Sequence, residues 1–491
     1  FAGRFTENQQ QNPNFGFTSS VYWVRFSLSG ERREAERWFL EIGYPLFDNV
    51  NIYLPMTDGT YLQKTVGDLQ PFAAREIRNR NFLISIPDSL ADNTPIYLRF
   101  DTESSMNIIL TLWSAETFAG ADHNAQFGLG LYYGFILVMT LYSLLMWATL
   151  RDKNYFFYLF FIVSFGLYQV TMNGSSYEYI WPTLVWWNNY SVPIFVSCSV
   201  MGVAMFSRAF LITPRYCPFI DKIILSLNMA CILPIIFSLA GYYPLAIRLS
   251  VLLALVTMLV VITAGILCLR EKYRPARYYM LAWSMLLIGV VISALRAFGL
   301  LPANLFTLSA PQYGSSMTMI LLALALAGRV TIMKAKTAQA EEQYQTIFEN
   351  ASEGVFRMTT TGKIIMANRS LTEIFGYSSP AELIAQTPDI IKKYVTPRQM
   401  AKLTATLRKS YSITDYETQM YKKDSQTIID VSVNAHLTRN DNGDILYIDG
   451  MLTDITARKR AEEMRVARDV AESANRAKSQ FLANMSHEIR T

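Results

Sequence analysis

Phe127 to Leu150 reads FGLGLYYGFILVMTLYSLLMWATL, a run with no charged side chain. It exceeds the roughly 20 apolar residues that cross a bilayer core. Six more stretches of this kind follow: Tyr155–Met172, Tyr190–Ile212, Ile220–Gly241, Leu245–Leu269, Tyr278–Leu300 and Tyr313–Met333. The sequence therefore predicts a seven-helix transmembrane bundle over residues 126–333, with soluble regions on either side. In the whole chain of 491 residues, 44 Lys and Arg stand against 39 Asp and Glu. The apolar block holds 12 of the basic and 4 of the acidic residues, a charge of +8 that leaves −3 for the rest. Basic residues confined to the ends of apolar segments mark cytoplasmic loops, so nucleic acid is excluded as a partner.

Those charges set the orientation. Arg151 and Lys153, then Arg208, Arg215 and Lys222, then Arg270, Lys272, Arg274 and Arg277 follow the first, third and fifth stretches. Residues 1–125 are thereby expected outside and residues 334–491 in the cytoplasm. Tyr177, Tyr179, Trp181, Trp186 and Trp187 read as an interfacial aromatic belt at the outer end. Arg248, Arg296 and Arg329 lie near the ends of their stretches, and no ionisable group sits mid-membrane as a transport path requires. Gly130 and Gly134 form a GxxxG spacing too common in apolar helices to carry weight. Cys198, Cys217, Cys231 and Cys268 all lie in or beside the block, leaving no disulfide framework and no CxxC metal site. No metal site is expected. The chain starts at Phe1 without a basic n-region and apolar h-region, from which a removed leader and a longer protein are expected.

Residues 1–118 alternate apolar and polar side chains in short segments: Val21–Ser29, Trp38–Ile42, Asn49–Leu54, Phe82–Ile86, Ile96–Asp101 and Met106–Trp113. Turn residues bound them, Asp58-Gly59 among them, and the pattern predicts an all-β sandwich. Tyr22 and Trp23, if exposed, could stack on sugar rings, but aromatics of a strand belong by default to its core. Asp48 and Asp101 lack the spacing of a calcium loop. With YWVRFSL (Tyr22–Leu28) and EIGYPLFDNVNIYL (Glu41–Leu54) preceding the seven apolar stretches, residues 1–335 resemble the bacterial seven-transmembrane receptors with diverse intracellular signalling modules. The resemblance implies a jelly-roll-like periplasmic sandwich for an extracellular small ligand, carbohydrate being one class. It also implies a multi-pass protein of the bacterial inner membrane.

Lys334–Glu349 is a charged helical linker without Gly or Pro. Beyond it, strands are expected at Gly354–Thr359, Lys363–Ala367, Asp415–Tyr421, Thr427–Leu437 and Ile445–Ile455, with a helix over Arg369–Phe375 and a hairpin turn at Asn442-Gly443. YQTIFENASEGVF (Tyr344–Phe356), IIMANRSLTEIFGYS (Ile364–Ser378) and GMLTDITARKRAEE (Gly450–Glu463) resemble an α+β PAS domain, placed at residues 350–457. That resemblance implies a signal-coupling role for Asp454, Ile455 and Thr456. The domain has no cysteine for a flavin photosensor, and His436 shares a polar strand face with Asp430, Ser432 and Asn434. No cofactor is expected to be bound there.

From 458 to 478 the sequence is helix-forming, and Met464, Ala467, Ala471, Ala474, Phe481 and Met485 trace a heptad seam missing only at Lys478. A coiled-coil homodimer is predicted. Phe481 to Thr491, FLANMSHEIRT, resembles the H-box of the HisKA dimerisation and phosphoacceptor domain of sensor histidine kinases, making 479–491 a truncated one. The resemblance implies that His487 is the phosphoacceptor and Glu488 its general base, both catalytic. Glu488 falls on a d position, where the seam has to shift. No Gly-rich ATP lid, Asn-containing nucleotide box or Walker motif occurs in the chain. ATP and Mg are therefore expected as substrates of a missing catalytic domain, and a response regulator or receiver domain as partner. The leading expectation is a sensor histidine kinase of a two-component phosphorelay. The alternative is a non-catalytic membrane receptor or scaffold with a ligand-binding ectodomain and a PAS interaction module.

Overall fold

The computed structural model describes residues 5–7, 12–18, 20–28, 37–90, 93–297, 301, 305–386, 406–407, 410–424, 426–440 and 444–488. They fall into two compact units, Phe1–Thr331 and Ile332–Thr491.

The first unit opens with strands β1 (Asn14–Phe17), β2 (Tyr22–Ser27), β3 (Trp38–Ile42), β4 (Asn49–Pro55), β5 (Tyr61–Val66), β6 (Phe82–Ile86), β7 (Pro95–Asp101), β8 (Ser105–Asn107) and β9 (Leu110–Ser114). They form a four-stranded sheet ordered β2-β7-β4-β5, a three-stranded sheet β6-β3-β9, and a β1-β8 pair. The period-2 alternation puts Val50, Ile52, Leu54, Ile96, Leu98 and Phe100 on the inner face of one sheet. Leu40, Ile42, Phe82, Ile84 and Ile86 of the other sheet share their core. The all-β reading holds. It missed β1 and β5, whose side chains are mostly exposed and whose alternation is correspondingly weak, and it read β8 and β9 as one strand. The Asp58-Gly59 turn closes the β4–β5 hairpin, with Gly59 at φ +83°.

Strand β9 passes straight into helix α1 (Ala115–Leu150), capped by the Ser114 hydroxyl on the Thr117 amide. After it come α2 (Lys153–Met172), α3 (Ser175–Tyr179), α4 (Val185–Leu211), α5 (Thr213–Tyr216), α6 (Pro218–Ala230), α7 (Ile232–Leu239), α8 (Tyr243–Arg270), α9 (Ala276–Ala297), α10 (Leu305–Leu308) and α11 (Ala310–Asn350). Among the described residues 6 helices are long and apolar enough to cross a membrane, α6 and α7 counting as one from Pro218 to Leu239. The seventh expected stretch, Tyr278–Leu300, falls on α9, whose described apolar part, Ala276–Ile292, is shorter. Residues 298–300 lie outside the described residues. Helices α9 and α11 meet at Gly289 and Gly314, where a Cβ on Gly289 would stand 2.5 Å from the Ala310 carbonyl oxygen. The Gly130 and Gly134 positions, in contrast, have open space around them.

The sandwich rests directly on the outer ends of these helices. Leu46 packs among Val192, Tyr243 and Ile247, and Phe72 among Tyr177, Trp181 and Phe195. Tyr177 donates to the Gln70 carbonyl at 2.6 Å, and its ring meets Phe72 edge-on at 5.8 Å. This corrects the belt reading in part. Tyr179 and Trp186 are exposed, but Tyr177 and Trp181 are buried under the sandwich because their hairpin meets protein there, not lipid.

In the second unit, β10 (Gly354–Thr359), β11 (Ile364–Ala367), β12 (Ser412–Tyr421), β13 (Ile428–Arg439) and β14 (Ile445–Asp454) form one antiparallel sheet ordered β11-β10-β14-β13-β12. Helices α12 (Arg369–Phe375) and α13 (Pro380–Gln386) cover one face through Leu371, Phe375 and Leu383. Asn368 caps α12, and Gly376 at φ +80° ends it. The expected turn at Asn442-Gly443 lies outside the described residues. Helix α14 (Thr456–Glu488) follows β14 without a loop.

Gly67 tests the sandwich's joint with its own interior. A Cβ there would lie 2.0 Å from the Asp48 carbonyl oxygen. Gly67→Ala should cost roughly 1–3 kcal/mol, as overpacking does, and lower the melting temperature of the full chain in detergent followed by intrinsic fluorescence. Gly120→Ala, with nothing within 4 Å of its Cβ in a helix, should leave that temperature unchanged or raise it.

Candidate functional site

The junction of β14 with α14 is built from the residues expected to couple the sheet to the helix. Asp454 ends the strand and its Oδ1 accepts the Thr456 amide at 2.9 Å, an Asx-type turn that starts the helix. Ile455 is buried and its amide donates to the Asp430 carbonyl at 2.8 Å. The Thr456 hydroxyl accepts the Asp430 amide at 2.9 Å and reaches the Asp430 carbonyl at 3.4 Å. One side chain thus satisfies a backbone donor of β13 from the first turn of α14. Lys459, one turn on, pairs with Glu417 at 2.9 Å and Asp430 at 3.3 Å, while Arg458 reaches Glu417 at 2.9 Å. The bond from Lys459 holds the Glu417 carboxyl below its ordinary range. Strands β12, β13 and β14 are therefore all tied to the helix start.

The helix continues unbroken through His487 and Glu488, so both lie on the element that Asp454, Ile455 and Thr456 anchor. At about 1.5 Å per residue, His487 stands roughly 45 Å along the axis from the junction. The side chains of His487 and Glu488 lie outside the described residues. His436 is exposed on β13 opposite Asp449, whose carboxylate takes a bidentate grip from Arg357 at 2.6 and 3.0 Å. Arg357 holds the Asp449 carboxyl below its usual range.

At the other end of the chain, the outer face of the β2-β7-β4-β5 sheet carries rings. Trp23 stacks on Tyr53 at 5.8 Å and is 46% exposed; Tyr61 and Tyr97 lie 6.1 Å apart beside them. This overturns the core assignment of Trp23. Tyr22, Val24 and Phe26 take the inward positions of β2, so Trp23 and Arg25 point out. Arg99, ion-paired to Asp101 at 2.8 Å, is the residue opposite both Trp23 and Asn51. Flat apolar surfaces with donors and acceptors between them suit a small polyhydroxylated or aromatic ligand.

Residues 1–114 match the family described as 7TMR-DISM extracellular 2, residues 125–329 that described as 7TM diverse intracellular signalling, and residues 342–402 the PAS domain. These matches follow one another along the chain as an extracellular domain, a 7TM domain and a PAS domain. Over 115 residues it is 33% identical to hybrid signal transduction histidine kinase A of Dictyostelium discoideum, a match covering 23% of this chain and 5% of that protein. The chain thus spans about 5% of the length of the curated relative it matches. Similar solved structures include a PAS domain from a two-component sensor histidine kinase (11% identity, 24% of this chain and 98% of that one, TM-score 0.21). Another is a sensory box histidine kinase/response regulator from Burkholderia thailandensis (24% identity, 27% and 98%, TM-score 0.22). The family matches make the protein a multi-pass membrane protein with an extracellular domain and a PAS domain.

Sequence reasoning raised a stacking role for Trp23 but ranked it below the core, and it missed Tyr53, Tyr61 and Tyr97 beside it as well as the clamp around Asp430, Glu417 and Lys459. The polar alternation of β13 was visible, but its tie to Lys459 depends on register between strands and helix. Thr456→Val removes a hydroxyl and leaves the Asp430 amide without its acceptor, a loss of about 1–2 kcal/mol. Hydrogen exchange of the amides from 456 to 463 in the full chain should therefore quicken roughly 5- to 30-fold, and Thr456→Ser should restore it. Equal protection in the Val variant would remove Thr456 from the junction.

Proposed function

We propose that this chain is the receptor and transmission part of a sensor histidine kinase working in a two-component phosphorelay. The observation that carries the reading is that Phe481–Glu488, the first eight residues of the FLANMSHEIRT stretch, stand on the same helix that Thr456 fastens to the PAS sheet. A phosphoacceptor imidazole has to be exposed for in-line attack on the γ-phosphate of ATP, and a surface helix leaving a sensor sheet offers that. His487 takes the phosphoryl group. Glu488 orients the imidazole and accepts its proton. A catalytic domain supplies ATP with Mg, and a response regulator or receiver Asp accepts the group onward.

The receptor is read as a seven-span bundle of the bacterial inner membrane with the sandwich in the periplasm and residues 334–491 in the cytoplasm. The basic loops after α1 and α8 support this, as does the Arg208 grip on Asp221 at 2.8 and 3.2 Å near the same side. An outside small ligand, carbohydrate among the classes that fit, stacks on Trp23, Tyr53, Tyr61 and Tyr97. Two chains pair along the Met464, Ala467, Ala471 and Ala474 seam, and the small alanines keep that pairing weak enough to re-register.

In a protein joined to its catalytic domain, ATP should leave an acid-labile, base-stable phosphoryl group that His487→Gln abolishes. Glu488→Gln should slow its formation on the order of a hundredfold or more, the usual contribution of a general base, while His436→Gln stays near wild type. Undiminished labelling of the His487→Gln protein sinks the reading. For the topology, alkaline phosphatase fused near Asn188 should be active and fused near Lys272 inactive; the reverse would invert the direction of signalling.

A further inference from the structure

Two buried carboxyl groups sit where the sandwich meets the membrane helices, and the signalling reading leaves both unused. Asp48 follows the loop that seats Leu46 against Tyr243 and Ile247; Asp68 lies just beyond β5 on the way to Phe72. Their backbones run side by side, the Asp68 amide donating to the Phe47 carbonyl at 2.8 Å. Asp48 is 8% and Asp68 2% exposed. Two carboxyls buried on adjacent backbone segments repel each other when both are ionised, and a proton on one of them removes that repulsion. Oδ2 of Asp48 accepts the Glu103 amide at 2.6 Å. Oδ1 of Asp68 is buried without a hydrogen-bond partner among the described residues.

The groups facing the pair decide its charge. From the sandwich, Glu103 and Asp101 add negative charge near Asp48. Tyr44 in the intervening loop, Tyr177 of the α3 hairpin and Tyr243 at the start of α8 face it as neutral phenols. The facing cation is Arg75, whose charge opposes the rise at Asp68 without a hydrogen bond to it: Nη1 donates to the carbonyls of Asn79 and Arg80 at 2.7 and 2.8 Å, the guanidinium lies over the Phe72 and Phe82 rings, and Nε has no hydrogen-bond partner among the described residues. Burial first, and the Asp48 charge second, hold the Asp68 carboxyl well above the ordinary carboxylate range; burial raises Asp48 too.

We propose that Asp48 and Asp68 bind one exchangeable proton between them, and that this proton latches the sandwich to the outer ends of the membrane helices, making the seam responsive to the pH outside. With the proton in place, Asp68 donates to Asp48 and the pair carries a single negative charge. When the proton leaves to water, two adjacent anions remain in a site that excludes solvent, and hydrating them requires the seam to open. The closed seam binds more protons than the open one. Its stability is complete below the ordinary carboxylate pKa and falls as pH rises from there through the raised value of Asp68.

The test uses the full chain in lipid nanodiscs. Infrared difference spectra between mildly acidic and alkaline pH should show a protonated-carboxyl carbonyl band that disappears in Asp68→Asn. Protection factors of the amides from 44 to 48 and 67 to 72, corrected for intrinsic exchange, should fall with rising pH by up to about tenfold per pH unit, the slope for one proton. Asp68→Asn, which mimics the protonated state, should flatten that dependence at high protection. Asp48→Asn removes the like charge and should move the midpoint to lower pH, an outcome readable even if Asp68→Asn fails to fold. A wild-type protein without the carboxyl band, a band and slope that persist in Asp68→Asn, or an unmoved midpoint in Asp48→Asn would overturn the proposal.

Discussion

Phe72 and Leu46 are the apolar side chains that seat an all-β body on a bundle of apolar helices, beside the Tyr177 bond to Gln70 and the Asn79 bond to Asp122. Each enters a pocket of aromatic and branched residues supplied by α2, α4 and α8 together with the α3 hairpin. At roughly 25 cal/mol per Å² of apolar surface, burying two such side chains is worth several kcal/mol. That is enough to decide whether the two bodies move as one. The Ser114 cap adds to this from the covalent side, since β9 turns into α1 with no flexible residue between. The sandwich and helices thus share a mechanical frame in which strain at one can reach the other.

Inside the bundle, hydrogen bonds between helices add to the close packing of side chains, as expected where lipid is no less apolar than leucine. Ser197 and Ser250 meet at 3.0 Å, Thr318 donates across to the Ala282 carbonyl at 2.8 Å, and the Tyr158 hydroxyl reaches the Met319 carbonyl. Tyr132 and Ser315 join α1 to α11 at 3.0 Å, and Tyr279 joins α9 to α4 through Ser207 at 2.7 Å. Each bond crosses between helices far apart in sequence, so α11 is tied to both α1 and α9 before it leaves the bundle.

Most of this architecture was legible in residue order. The apolar stretches and the alternating strands announced themselves because period and hydrophobicity are local properties. The PAS strands were visible for the same reason, and so was the outward polar face of β13 that carries His436. Trp23 was misplaced because a strand's two faces are equivalent until the partner sheet is known; here Tyr22, not Trp23, points to the core. Tyr177 and Trp181 misled in the opposite direction, since an aromatic belt facing lipid and one facing protein have the same composition. The Asp48–Asp68 pair was invisible as a pair, because 20 residues and a hairpin separate two carboxylates that only folding brings together.

Helix α11 runs from Ala310 to Asn350 as a single element, with no Gly or Pro after Gly328. A helix turns by about 100° per residue, so the length of this element fixes an angular phase as well as a distance. Removing one residue between Met333 and Asn350 would turn the side chains that follow it on this helix by more than a quarter turn. Removing seven would nearly restore the phase, leaving a lag of about 20°. Insertions and deletions in this helix therefore keep its faces in line only when they change its length by whole heptads.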